Sequence, residues 1–178
     1  MLAITLSRRD FRERDQQISF YTKESGRIET VARGIKKITA RNAPALEPFA
    51  LLEIELARGR GLTYVTRAQA IKTFPSLRAD LRKLLIGSYC LNLVDEVTQP
   101  GEKDEKIFNL LYELLKKVDT SAAVNNLIAY DFLSNFLGAL GFAPPADKSA
   151  DSSLIPYAEY HLNRKVSDIA NFMKRLYN

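Results

Sequence analysis

Over the first 73 positions apolar and polar residues alternate with a period of two. Leu2, Ile4 and Leu6 alternate with Ala3, Thr5 and Ser7, which predicts a half-buried strand. RRDFRERD, residues 8–15, is dense in both charges and reads as a loop. Gln16 to Thr22 alternates again, with Ile18 and Phe20 on one face and Ser19 and Tyr21 on the other. A turn over Lys23 to Gly26 leads into a third strand, Arg27 to Arg33, where β-branched residues sit between charged ones. Pro44 and Pro48 interrupt regular structure. Leu52, Ile54 and Leu56 then mark a fourth strand, and RGRG, Arg58 to Gly61, is a hairpin turn that leads into a fifth, Tyr64 to Lys72.

Near Phe74 the period changes. Pro75 suits the first turn of a helix, and Leu77, Leu81, Leu84, Leu85, Leu91 and Val94 continue at helical spacing. Pro100 and Gly101 break that run. A second helix starts near Asp104 and carries Ile107, Leu110, Leu111, Leu114, Leu115 and Val118. A third, capped by Thr120 or Ser121, is apolar over most of its circumference, which predicts the central helix of a bundle. Gly141, Pro144 and Pro145 end it. Ala146 to Ser153 reads as a flexible loop, followed by one or two more helices. Five short strands and then only helices predict an α+β chain. Residues 1–73 are expected to form a five-stranded OB-fold β-barrel and residues 74–178 an all-helical C-terminal domain.

Charge sharpens this division. The chain carries +5 overall, with a net of +6 in residues 1–80 and −1 in the remainder. A basic front half suggests an anionic partner there. GRIETVARGIKKITAR, Gly26 to Arg41, is a strand that runs into a basic arm with Lys36, Lys37 and Arg41 and no carboxylate between Thr30 and Thr39. Such an arm grips phosphates in some proteins and is merely solvated in others. The lone Cys90 lies in an apolar run and is expected to be a buried thiol. With no basic-then-apolar leader and no apolar run of membrane-spanning length, a cytoplasmic protein without membrane contact is expected.

Enzyme signatures are missing. There is no GxxxxGK[ST] loop, no GxGxxG after a strand and no HExxH, so neither cofactor nor metal is expected. The only histidine, His161, lies beside Tyr160 and reads as a surface or partly buried helix residue. Asp95 and Glu96 are adjacent on a helix, a poor geometry for an acid/base pair, and read as a solvated edge. Binding features are better represented. Arg8, Arg9, Arg12, Arg14, Arg27, Arg33, Lys36, Lys37, Arg41, Arg58 and Arg60 are candidate phosphate contacts. Tyr21 and Tyr64 lie on the more polar faces of their strands, open either to base stacking or to packing over the barrel rim. Lys116 and Lys117 are either helix-dipole partners or a dock for an acidic peptide tail.

The order of these pieces resembles RecO, the bacterial recombination mediator family. The resemblance rests on LSRRDFRERD, FYTKESGRI, TVARGIKKITAR and LEPFALLEIELARGRGL, then TFPSLRADL and AYDFLSNFLGALGFAP. Tyr21 stands where the family has Phe, the spacing from Thr22 to Gly26 holds, and Leu46 to Phe49 fits the Leu-x-Pro-Phe approach to the fourth strand. Family members commonly carry a Cys-rich zinc finger after the long helix. Here ADKSADSS stands there, so the chain looks like a shortened member without zinc. The resemblance implies a non-catalytic, nucleoid-associated DNA-repair protein. It would bind single- and double-stranded DNA, anneal complementary strands, and with RecR assist RecA loading on DNA coated by single-strand-binding protein, whose acidic C-terminal tail it would also bind. Carried over position by position, the DNA contacts would include Arg33, Lys36, Lys37 and Arg41. An alternative is an adaptor whose helices hold RecR or the coat protein's tail with little DNA binding of its own.

Overall fold

The computed structural model describes residues 1–36, 45–145 and 153–166. Lys37 and Arg41 of the basic arm, residues 146–152 of the loop expected over 146–153, and the segment from 167 onward lie outside them. Five strands, β1 (Leu2–Asp10), β2 (Gln16–Thr22), β3 (Gly26–Ala32), β4 (Ala50–Arg58) and β5 (Thr63–Thr73), close into a barrel in the order β1-β2-β3-β5-β4. All pairings are antiparallel except β3 with β5, which meet in parallel where Val31 faces Tyr64. This is the five-stranded OB barrel that the alternation predicts.

The first strand is longer than its pattern suggests. Arg8, Arg9 and Asp10 do not form a loop but pair with Ile18, Gln17 and Gln16 across the hairpin. A register shift between Thr5 and Ser7 inserts Leu6 as an extra residue and breaks the alternation. The turn at Thr22 to Gly26 explains its own sequence. The Thr22 hydroxyl donates to Gly26 O at 2.9 Å and accepts from Ser25 N at 3.0 Å. Gly26 has φ +66°, and a Cβ there would lie 2.0 Å from Glu102 O.

Among the described residues five helices follow: α1 (Pro75–Ala79), α2 (Leu81–Val97), α3 (Glu105–Thr120), α4 (Asn126–Ala139) and α5 (Leu154–Leu162). The single helix expected after Pro75 is two, because the extended Asp80 ends α1 and caps α2 by accepting from Arg82 N and Lys83 N. The leucine spacing runs through this break unchanged and conceals it. Asn125, not Thr120 or Ser121, caps α4, while Thr120 closes α3 by donating back to Lys116 O. The central helix is α2 rather than α4. It packs on α1, α3 and α4 and on the barrel strands β1 and β2, whereas α4 leaves Leu127, Asp131, Asn135 and Gly138 exposed along one face. No helix of the described residues is long and apolar enough to cross a membrane.

Two apolar cores result. Ala3, Ile18, Phe20, Ala32, Leu46, Leu52, Ile54 and Val65 fill the barrel. Ile4, Leu6 and Tyr21, on the barrel's outer surface, join the helical core together with Phe49, Phe74 and Leu77. Cys90 is fully buried there, and burial pushes its thiol well above the ordinary range.

Candidate nucleic-acid interface

The β3 exit lies between two turns. On one side it is tied to the β1–β2 turn: Gly34 N donates to Asp15 Oδ1 at 2.8 Å, Lys36 N donates to Arg14 O at 3.3 Å, and Lys36 Nζ pairs with Asp10 at 2.8 Å. On the other side the Arg33 guanidinium sits over the Tyr64 ring at 4.0 Å, at the start of β5. The Tyr64 ring in turn rests against Gly59 of the β4–β5 turn. That turn closes with Gly59 N donating to Leu62 O at 2.8 Å and carries a positive φ at Gly61.

Five arginines converge here. Arg12 and Arg14 stand on the first turn, Arg33 between, and Arg58 and Arg60 on the second, all exposed. Among the described residues none of the five is paired with a carboxylate. Exposed guanidiniums without an ion pair among the described residues give this barrel face a local excess of positive charge.

Other candidates are placed differently. Tyr21 is 0% exposed, so the outward face it occupies is covered by helices and it offers no base a surface. Its hydroxyl reaches Asp104 O at 3.3 Å, and burial together with Asp104 pushes its pKa up to about 12. Arg8 is held by Gln16 and by an ion pair to Glu47, so its charge is spent within the barrel. Arg9 is 71% exposed beside the same strands, with Asp95 at 3.8 Å. Lys116 is paired with Glu113 at 2.8 Å and Lys117 with Asp131 at 2.8 Å. Lys117 borders a groove between α3 and α4 floored by Leu110, Leu114, Ile128 and Phe132, but Glu113 and Asp131 on its rim outnumber it.

Asp95 is the residue that pattern reasoning misjudged. It is not a solvated edge but 5% exposed, at the contact of α2 with the barrel. Ser7 Oγ and Ser19 Oγ each donate to its carboxylate at 2.5 Å, and Arg27 Nε at 2.8 Å. Burial would raise its pKa, but these donors from Ser19, Ser7 and Arg27 outweigh burial and hold it below 3.8. Arg27, bound also to Glu29 at 2.7 Å, is thereby withdrawn from the list of free cations. A carboxylate next to another on a helix carries no sign of which one faces a strand, so the sequence offered no signal. His161 lies on α5 among the rings of Phe142, Tyr157 and Tyr160, with centroids 4.4–5.1 Å away. Among the described residues no cluster of three His, Cys, Asp or Glu side chains is placed to hold a metal ion.

A closed five-stranded barrel of order β1-β2-β3-β5-β4, followed by a helical part, defines an OB-type fold joined to helices. The chain belongs to the RecO family. Residues 1–74 match the family described as Recombination protein O N terminal, and residues 78–164 match Recombination protein O C terminal. It is 33% identical to a DNA repair protein RecO of Geobacter metallireducens over 83% of this chain and 60% of that protein. With the DNA repair protein RecO of Pelotomaculum thermopropionicum it shares 34% over 82% of this chain and 56% of that protein. The corresponding protein of Desulforamulus reducens is 33% identical over 80% and 55%. The chain thus spans somewhat under two thirds of the length of these curated relatives.

Proposed function

We propose that this chain is a non-catalytic DNA-binding member of its repair family, acting in the cytoplasm on the bacterial nucleoid, with residues 1–73 as the DNA-binding unit and 74–178 as the helical unit. It binds single- and double-stranded DNA, anneals complementary strands, and with RecR assists RecA loading on strands coated by single-strand-binding protein. The observation that carries this reading is the set of five exposed arginines around the β3 exit, none of them paired with a carboxylate among the described residues. Arg33, Arg58 and Arg60 are the principal contacts, joined by Arg12 and Arg14, with Arg9 and Lys36 at the margin. Lys37 and Arg41 extend the contact on sequence grounds. A lysine in an exposed ion pair, such as Lys36 with Asp10, gives up little when a phosphate replaces the carboxylate.

Binding through several phosphates releases counterions, so affinity depends steeply on salt and weakly on sequence. Fluorescence anisotropy with a single-stranded oligonucleotide at low and moderate salt tests this. Arg58→Glu with Arg60→Glu, and separately Lys36→Glu with Lys37→Glu and Arg41→Glu, are each expected to weaken binding at least tenfold. Wild-type protein that fails to bind at low salt would overturn the proposal. The adaptor reading would then gain support from the apolar groove between α3 and α4, whose net acidic rim suits a basic or neutral peptide better than an acidic tail.

A further inference from the structure

Two arginines of the barrel face lie over rings, Arg12 at 5.0 Å from the centroid of its chain neighbour Phe11 and Arg33 at 4.0 Å from that of Tyr64, and only Arg33 meets a ring from another strand. Its Cζ lies 4.0 Å from the Tyr64 centroid, so the guanidinium and the ring are in van der Waals contact. The ring has its own support: a Cβ on Gly59 would come within 2.5 Å of Tyr64 Cε2. Val31, cross-strand partner of Tyr64 and two residues before Arg33, is buried beneath the same site. Gly59, Tyr64 and Arg33 therefore form one packed stack, and Arg33, as an exposed residue, presents the outer end of that stack to solvent.

Phosphate capture needs no such arrangement. Arg14, Arg58 and Arg60 are exposed on the flanking turns, Arg12 lies over the exposed Phe11 only at the longer 5.0 Å, and a flexible cation follows a backbone well. A guanidinium fixed over a ring has lost most of its freedom and offers a planar cationic surface. That surface suits the π-face of a nucleobase, which stacks on arginine as it does on an aromatic ring. Basic turns on both sides hold the flanking phosphates, so one base can settle over Arg33 while the backbone passes between the turns.

We propose that Arg33, positioned by Tyr64 and Gly59, is a stacking surface for an unpaired nucleobase, so that this site selects single-stranded over paired nucleic acid. The inference rests on the DNA-binding reading above. A base inside a duplex is already stacked on both faces and cannot be taken by the site without being unpaired first. Tyr64 is then a positioning residue, not itself the platform.

The test separates bases from phosphates. Full-length protein is titrated with a fluorescent oligothymidine and with a strand of equal length and charge whose central nucleotides are abasic, at several salt concentrations. Wild type is expected to prefer the base-bearing strand about fivefold or more, the scale of one stacked base. Arg33→Lys keeps the charge but removes the plane. It should erase the preference and leave the salt slope and thermal stability unchanged. Tyr64→Phe keeps the ring and should retain the preference, whereas Tyr64→Leu should lose it. Gly59 has no positive φ, so Gly59→Ala perturbs only the ring's seat and should weaken the preference. Wild type that binds both strands equally, or Arg33→Lys with the preference intact, overturns the stack and leaves the DNA-binding reading standing. Wild type that binds neither strand at low salt removes both.

Discussion

Phe49 and Gly87 show how one residue's backbone demand is met by another's lack of a side chain. Phe49 has φ +67°, uncommon for a bulky residue, and is nevertheless 6% exposed. It closes the Leu46–Phe49 segment: Leu46 enters the barrel core, while Phe49 turns outward into the helical core. A Cβ at position 87, in the middle of α2, would lie 2.9 Å from Phe49 Cε1. Glycine there costs helix stability but gives the ring its seat. Gly87→Ala should therefore destabilise the protein by about 1 kcal/mol, as overpacking of about 1–3 kcal/mol outweighs the gain in helix propensity. In a Phe49→Leu background the same change should become neutral or stabilising. Urea denaturation of the four proteins measures the coupling, and equal effects in both backgrounds would disprove the pairing.

At the scale of elements, the sequence displayed what depends on a single periodicity. All five strands and the existence of most helices follow from alternation, β-branched content or leucine spacing. What remained hidden depended on a second surface. Tyr21 lies on the outward side of β2, as its alternation indicates, but only the docked helices decide that outward is buried. Arg8 to Asp10 looked like a loop because their partners are on the next strand, not in their own sequence. The arginine cluster was legible as composition, whereas the ring under Arg33 required the register of β3 with β5. Asp95 belongs with these cases, since its donors come from β1, β2 and β3 while it sits on α2. Asp95→Ala would leave Arg27 Nε, on a side chain only 12% exposed, and two hydroxyls without their acceptor, with Glu29 still holding the other end of the guanidinium. A loss of about 3–5 kcal/mol is expected. The pH dependence has a fixed sign. The pKa is depressed in the folded state, so the stabilisation is complete above the unfolded value near 3.8 and declines as pH falls through the lower folded value. Asp95→Asn should lack that component. Its stability deficit relative to wild type should shrink on acidification below about pH 4, and a deficit independent of pH would show that the carboxylate's charge is immaterial.

For the whole molecule the question is whether barrel and helices are separate bodies joined by a chain or one cooperative unit. Barrel residues Ile4, Leu6 and Tyr21 are each no more than 2% exposed, yet their neighbours are helical. The α2–α3 connection is sewn to the β2–β3 turn, with Gly101 N donating to Arg27 O at 2.9 Å and Glu102 O packed against Gly26. The charged latch at Asp95 lies on the same contact. A barrel without helices would expose three large apolar side chains and strip Arg27 of Asp95, and a small barrel has little stability to spare. Barrel and helices should therefore unfold together. Native-state hydrogen exchange is the direct measurement: amides of Ile18 and Phe20 in β2 and of Ile86 and Leu91 in α2 are expected to share one opening free energy and one denaturant dependence. Asp95→Ala should lower both sets in parallel. Barrel amides that stay protected while α2 exchanges would mean that the barrel folds alone. In the coupled molecule, the face carrying Arg33 and the groove between α3 and α4 keep a fixed relation. A strand seated on the first and a peptide seated on the second would then be held at a constant separation by the fold itself.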